Sequence, residues 1–185
     1  MYLGGIWGGQ LQRWDENGNY TEMGCETQDN GIPNSPAISP RIAKMSDDMI
    51  SFAEELKPIR IVHNSGNPIL TKDHDRRFFE AAWIHKHNGT YYLSYSTGNT
   101  HYIVYATGDN PYGPFVYQGI LNEPVQGWTN HHSTVKIDGK WYLFYHDVEM
   151  SGQSNLRNVK YTEFTHNDDG TINPVKTYFG NDFKF

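Results

Sequence analysis

Residues 84–96 (IHKHNGTYYLSYS) recur 50 residues later, without a gap, as residues 134–146 (TVKIDGKWYLFYH). Lys86/Lys136, Gly89/Gly139, Tyr92/Tyr142, Leu93/Leu143 and Tyr95/Tyr145 are identical across the two copies. Each copy carries Asn-Gly or Asp-Gly between two runs of β-forming residues. That dipeptide closes a two-residue hairpin, because both central positions need positive φ. The same Tyr-Leu pair occurs once more, at Tyr2-Leu3, without the turn and strand that precede it in the other copies. A chain built on such a repeat is expected to be all-β, and this one is expected to begin in the middle of a repeat unit.

The remaining punctuation agrees with short strands. A repeat of about 50 residues built from hairpins falls among the periods of propellers and related arrays. Asp109-Asn110-Pro111-Tyr112-Gly113-Pro114 forms a dense turn cluster between strands expected around Tyr102–Ala106 and Phe115–Gln118. Asn167–Gly170 forms another ahead of Thr171-Ile172, and Gln28–Pro40 reads as a long loop. Only Met49, Phe52, Ala53 and Leu56 have helical spacing, with Ser46 or Asp47 as a cap. In β surroundings, a strand through Ile42–Met45 followed by a loop packing Phe52 is the preferred reading.

Composition narrows the function classes. The 185 residues suffice for one domain with a sizeable core, and 15% aromatic content with 18 glycines suits strands and tight turns. A net charge of −6 argues against a nucleic-acid partner, which requires a basic face. Cys25 is the single cysteine, so no internal disulfide is expected. No apolar run has transmembrane length, and secreted and cytoplasmic locations both stay open.

Glu80 is the first candidate for chemistry. It lies in Phe78-Phe79-Glu80-Ala81-Ala82-Trp83, directly before a repeat hairpin. Strand alternation can turn it to solvent; alternatively it is buried, where desolvation raises a carboxylate's pKa and makes it a proton donor. The repeat bears on this choice, because the 50-residue offset sets Glu80 against Asn130 and Ala81 against His131. Glu80 and the His131-His132 pair therefore enter successive units at nearly the same place, as parts of one pocket would. His85 and His87, two apart on a strand, are expected on a solvated face rather than around a metal, since no third ligand has convincing spacing. His63, His74, His101, His146 and His166 are scattered, and Cys25 has no companion base. Trp7, in the glycine-rich segment 4–10, and Trp128, just ahead of His131, are either sugar-stacking platforms or core residues.

Taken in order, the segments GGIWGGQLQ (4–12), FFEAAWIHKHNGTYYLSYS (78–96), YGPF (112–115), NHHS (130–133) and GKWYLFYH (139–146) resemble glycoside hydrolase family 43. The likeness is to its β-xylosidase and α-L-arabinofuranosidase members, and Asp168–Ile172 suits the family's last blade. The resemblance implies a five-bladed β-propeller, of which about three and a half blades are expected here. Residues 1–185 would be the C-terminal portion of one catalytic domain. It implies inverting hydrolysis of terminal β-xylosides or α-L-arabinofuranosides, with xylo-oligosaccharide or arabinoxylan fragments as partners. Inversion uses one carboxylic acid on the leaving oxygen and a second carboxylate that activates water. By resemblance Glu80 is the acid, and His131 the residue that helps hold a divalent ion, often Ca2+, at the propeller centre. Arg157 then binds sugar hydroxyls, and Trp7, Phe79 and Trp128 line the substrate. The family's base and acid-tuning aspartates both precede the point matching Met1, and neither Asp138 nor Asp147 is a convincing substitute.

Three readings follow. The chain is a glycosidase portion inactive alone, a carbohydrate-binding remnant, or a structural propeller piece that self-associates through strand edges or takes its missing blades from elsewhere.

Overall fold

The computed structural model describes residues 1–4, 34, 36–98, 100–127 and 131–176, together with the backbone of 13–14 and 20–21. Among the described residues the chain is all-β and contains no helix. Short strands come first: β1 (Tyr2–Leu3), β2 (Arg13–Trp14), β3 (Tyr20–Thr21), β4 (Arg41–Ile42), β5 (Lys57–Pro58) and β6 (Ile61–Val62). Longer ones follow: β7 (Glu80–His87), β8 (Thr90–Ser96), β9 (Ile103–Gly108), β10 (Phe115–Asn122), β11 (His132–Ile137), β12 (Lys140–Asp147) and β13 (Asn158–Phe164).

Both repeat hairpins form. Asn88 and Gly89 have φ of 45° and 89°, and Asp138 and Gly139 have 49° and 85°, the doubly left-handed turn that Asn-Gly and Asp-Gly favour. The first hairpin becomes the β7-β8 edge of a five-stranded sheet ordered β6-β10-β9-β8-β7, and the second begins a three-stranded sheet ordered β11-β12-β13. A further three-stranded sheet, β1-β4-β5, flanks the other side, so Tyr2-Leu3 does take its place in a sheet, against Arg41 and Ile42. Residues 46–51 turn back so that Met45 bridges Phe52; no helix forms, but Phe52 is exposed rather than packed.

Strand alternation divides the core into two layers. Leu93 and Tyr95 of β8 pack with Ile42, Ile59, Ile61, Phe78 and Val104 on the side of β1-β4-β5. Tyr92, the residue before Leu93, packs on the opposite face with Leu143, Tyr145, Phe164 and Ile172. Residues after β13 cross back: Tyr92 Oη donates to the Gly170 carbonyl at 2.8 Å, Ile172 N–H donates to Tyr105 Oη at 2.9 Å, and Val175 bridges Asn122. Three cross-links then fix the start of β11 against β7 and β8. Trp83 Nε1 donates to the Thr134 carbonyl at 3.2 Å, Thr134 Oγ1 stands 3.1 Å from His85 Nδ1, and Ser94 Oγ stands 2.6 Å from His132 Nε2.

Candidate active site

Glu80 is the first residue of β7, and its side chain is 12% exposed. Its backbone pairs with Ser96, but the next registered pair is Trp83 with Ser94, so an extra residue is accommodated between them. Ala81 absorbs the irregularity with φ of 61°, a left-handed conformation uncommon for alanine. A bulge of this kind re-aims the side chain beside it, as is common next to functional sites. The strand thus obeys simple alternation from Trp83 onward and departs from it at the carboxylate.

His131 Nε2 stands 3.1 Å from Glu80 Oε1, with the imidazole half exposed. The neighbouring His132 points the other way, as alternation demands, and packs part-buried against Ser94 with its Nδ1 inaccessible to solvent. Burial, and secondarily His131, holds its pKa down at about 3, so it is a neutral bolt between two sheets. The adjacent histidines therefore do different work: one meets the carboxylate and the other joins the sheets.

A third imidazole belongs to the same group. His146, on β12, has its ring 6.4 Å from that of His131 and nearly parallel to it, at 20°. Burial lowers its pKa first, then Arg157 and His131, against the opposing influence of Asp147 and Glu80. Its two ring nitrogens are buried without a hydrogen-bond partner among the described residues. Sequence reading left His146 among the scattered histidines, yet the 50-residue offset contained a signal. His146 matches Ser96, the residue paired with Glu80.

Arg157 lies on the exposed segment between β12 and β13, its Nε donating to the Ser154 carbonyl at 3.1 Å. Asp147 beneath that segment is buried and fully occupied. It accepts from Asn158 Nδ2 at 2.6 Å, from Glu149 N–H at 3.1 Å and from Lys160 Nζ at 2.8 Å. Such a carboxylate anchors a loop and is not poised to activate water. Phe79 is 7% exposed, and its ring lies so close to Gly98 that a Cβ there would stand 2.6 Å from it. Little of its surface is therefore open to solvent. Trp7 and Trp128 lie outside the described residues.

His85 and His87 do share a face, but the expectation that it is solvated is wrong. His85 is 8% exposed and stacks on Tyr92, with ring centroids 4.8 Å apart. His85 Nε2 stands 3.0 Å from His166 Nε2, and His87 stacks on His166 at 4.0 Å. Sheet-to-sheet packing covered this face, which periodicity within one strand could not show.

Among the described residues, no three His, Cys, Asp or Glu side chains form a group that could hold a metal ion. Calcium takes six to eight oxygen ligands, whereas His131 has Glu80 as its carboxylate neighbour. The described residues alone do not fit a calcium ion.

Residues 18–172 match the family described as Glycosyl hydrolases family 43. The chain belongs to glycosyl hydrolase family 43. This family 43 chain is 53% identical to Xylosidase/arabinosidase 43A of Humicola insolens, over 93% of its own length and 54% of the relative's. It is 50% identical to a xylosidase/arabinosidase of Bacteroides ovatus, over 93% and 52%. Among solved structures it superposes on a β-xylosidase/α-arabinofuranosidase from a compost microbial metagenome, in complex with xylotriose and in calcium-free form. That match has TM-score 0.84 and 62% identity, covering 97% of this chain and 55% of the other. A family 43 enzyme of Xanthomonas citri gives TM-score 0.83 and 48% identity, covering 98% and 53%. The chain spans about half the length of the curated relatives it matches.

Proposed function

We propose that this chain is the C-terminal portion of a single β-propeller catalytic domain, about three and a half blades of five, from a glycosidase acting on xylo-oligosaccharides or arabinoxylan fragments. Glu80 is its general acid. The observation that carries this reading is the bulge at Ala81, which turns a mostly buried carboxylate out of the strand pattern and to within 3.1 Å of His131. The names of the relatives and the xylotriose bound in a similar structure support the substrate class.

In the proposed reaction Glu80 protonates the departing glycosidic oxygen while water attacks the anomeric carbon from the opposite face. His131 orients the carboxyl group, Arg157 takes hydroxyls of the terminal sugar, and Trp7 and Trp128 line that subsite. Phe79 completes that lining. Water activation needs a second carboxylate some 6.5–9.5 Å from the acid in inverting enzymes, and Asp147 is already committed to Lys160 and Asn158. By resemblance to the family the base lies outside these residues, and the chain alone is then inactive.

The test is hydrolysis of aryl β-xyloside and aryl α-L-arabinofuranoside by the chain alone and together with the segment of a family 43 relative that it does not match. Turnover only in the mixture, lost on Glu80→Gln, is the expected result. Vigorous turnover by monomeric chain alone, or turnover in the mixture that survives Glu80→Gln, overturns the assignment.

A further inference from the structure

Glu80 is reached along residues 71–79, a run of turns and irregular chain with no strand of its own. Strand pairing does little to aim the carboxylate from the other side. The ladder skips from the Glu80–Ser96 pair to Trp83–Ser94, and Ala81 between them has a left-handed φ of 61°. The direction of the side chain is therefore set by what holds the segment before it.

The end of β8 and the turn after it grip that segment. Tyr95 Oη donates to the Arg76 carbonyl at 2.7 Å, Thr100 Oγ1 donates to the His74 carbonyl at 2.9 Å, and Phe79 N–H donates to the Ser96 carbonyl at 2.9 Å. Thr100 has a single hydroxyl proton and gives it to His74, so Thr97 Oγ1, 2.6 Å away, is the donor toward Thr100. The segment is braced internally as well. Arg77 is fully buried, its Nη1 donates to the Thr71 carbonyl at 2.9 Å, and its N–H donates to the Asp73 carbonyl at 2.8 Å. A displacement at residue 74 or 76 is thus passed along the chain toward Glu80.

Tyr95 is the telling member. It is 0% exposed and packs among Phe78, Leu93 and Val104, where phenylalanine would fill the same space. A hydroxyl cut off from water needs a partner, and this one finds the carbonyl four residues ahead of Glu80. Burial first, then Tyr117, pushes its pKa up, so the hydroxyl keeps the proton it donates.

Resting on the assignment of Glu80 as general acid, we propose that Tyr95 and Thr100 are positioning residues for that acid, acting through the backbone of residues 74–76 to send the chain into the bulge with Glu80 facing His131. Neither residue supplies a group to the reaction. Proton donation is the step that depends on their grip, because a reacting group displaced by about 1 Å can lose about 10²-fold in rate.

The experiment uses Tyr95→Phe/Thr100→Val, which removes both hydroxyls with little change of volume. The chain is complemented with the segment of a family 43 relative that it does not match. On xylobiose, kcat should fall at least about tenfold with KM little changed. On 2,4-dinitrophenyl β-xyloside, whose leaving group needs no proton, the rate should stay within about twofold. Tyr105→Phe is the control: it removes a buried hydroxyl that accepts from Ile172 N–H at 2.9 Å in the opposite core layer, and should not separate the two substrates. Equal losses on both substrates, in step with the fraction folded, overturn the proposal, as does an unchanged kcat on xylobiose. The single variants Tyr95→Phe and Thr100→Val give the same comparison if the double variant does not fold. Crystal structures of the unsubstituted and substituted chain alone supply a readout independent of turnover. The Glu80–His131 contact at 3.1 Å should break or become heterogeneous in the variant, and an unchanged contact overturns the proposal. Xylobiose turnover that survives Glu80→Gln refutes the acid assignment instead, while the crystallographic comparison still decides whether Tyr95 and Thr100 aim residue 80.

Discussion

Acidification should weaken the fold through His85, and the size of the effect follows from its surroundings. The imidazole is 8% exposed, its nitrogens engage Thr134 and His166, and burial followed by the neighbouring histidines lowers its pKa from 6.5 to about 3. A depressed histidine pKa means that the unfolded chain binds the proton more readily. Its contribution is therefore complete above pH 6.5 and is lost progressively as pH falls toward 3. Each pH unit in that window costs about 1.4 kcal/mol, so moving from pH 7 to pH 5 should remove about 2 kcal/mol through this residue alone. Typical domains are stable by only about 5–15 kcal/mol, so the loss is readily measured. Urea unfolding at pH 7, 6 and 5 supplies the stabilities. His85→Gln keeps polar atoms for both partners but has no proton to take up. The difference between the original protein and the variant should shrink by about 2 kcal/mol over this range. A difference constant with pH would refute the claim that His85 is held neutral by the packing of β7 against β11.

Other substitutions test separate parts of the account. Ala81→Val should destabilise by about 1–2 kcal/mol in urea melts, because a β-branched residue tolerates the left-handed conformation at the bulge poorly; an unchanged melt would mean that the bulge relaxes. Leu143→Ala, at a fully buried position between two sheets, should cost about 2–5 kcal/mol, and a loss well under 1 kcal/mol would show that the layer is not well packed. Asp147→Ala should cost about 2 kcal/mol and raise amide exchange across residues 148–157, since it removes the acceptor shared by Asn158, Glu149 and Lys160; exchange confined to Asp147 itself would contradict its anchoring role.

Much of this was legible because the sequence repeats. Two Asn/Asp-Gly turns and a gapless 50-residue offset located β7, β8, β11 and β12, and the same offset put Glu80 beside the His131-His132 pair. What stayed hidden depended on how sheets face one another. His85 and His87 read as a polar strand face because their partner His166 is 81 residues from His85 along the chain. His146 read as an isolated histidine because its neighbours come from β7, the start of β11 and the β12–β13 loop. The bulge at Ala81 was invisible for a different reason: nothing in Glu-Ala-Ala-Trp departs from ordinary strand composition, and only the pairing register reveals the extra residue.

The central claim, that Glu80 gives the proton to the departing oxygen, is tested most directly by varying how much that oxygen needs one. In the complemented enzyme, Glu80→Ala should be compared on xylobiose, whose sugar leaving group requires protonation, and on 2,4-dinitrophenyl β-xyloside, whose leaving group does not. The account predicts a kcat/KM loss of roughly 10²–10⁴-fold on xylobiose and at most a small loss on the dinitrophenyl substrate. Equal losses on both substrates, or full activity on xylobiose, would show that Glu80 is not the acid.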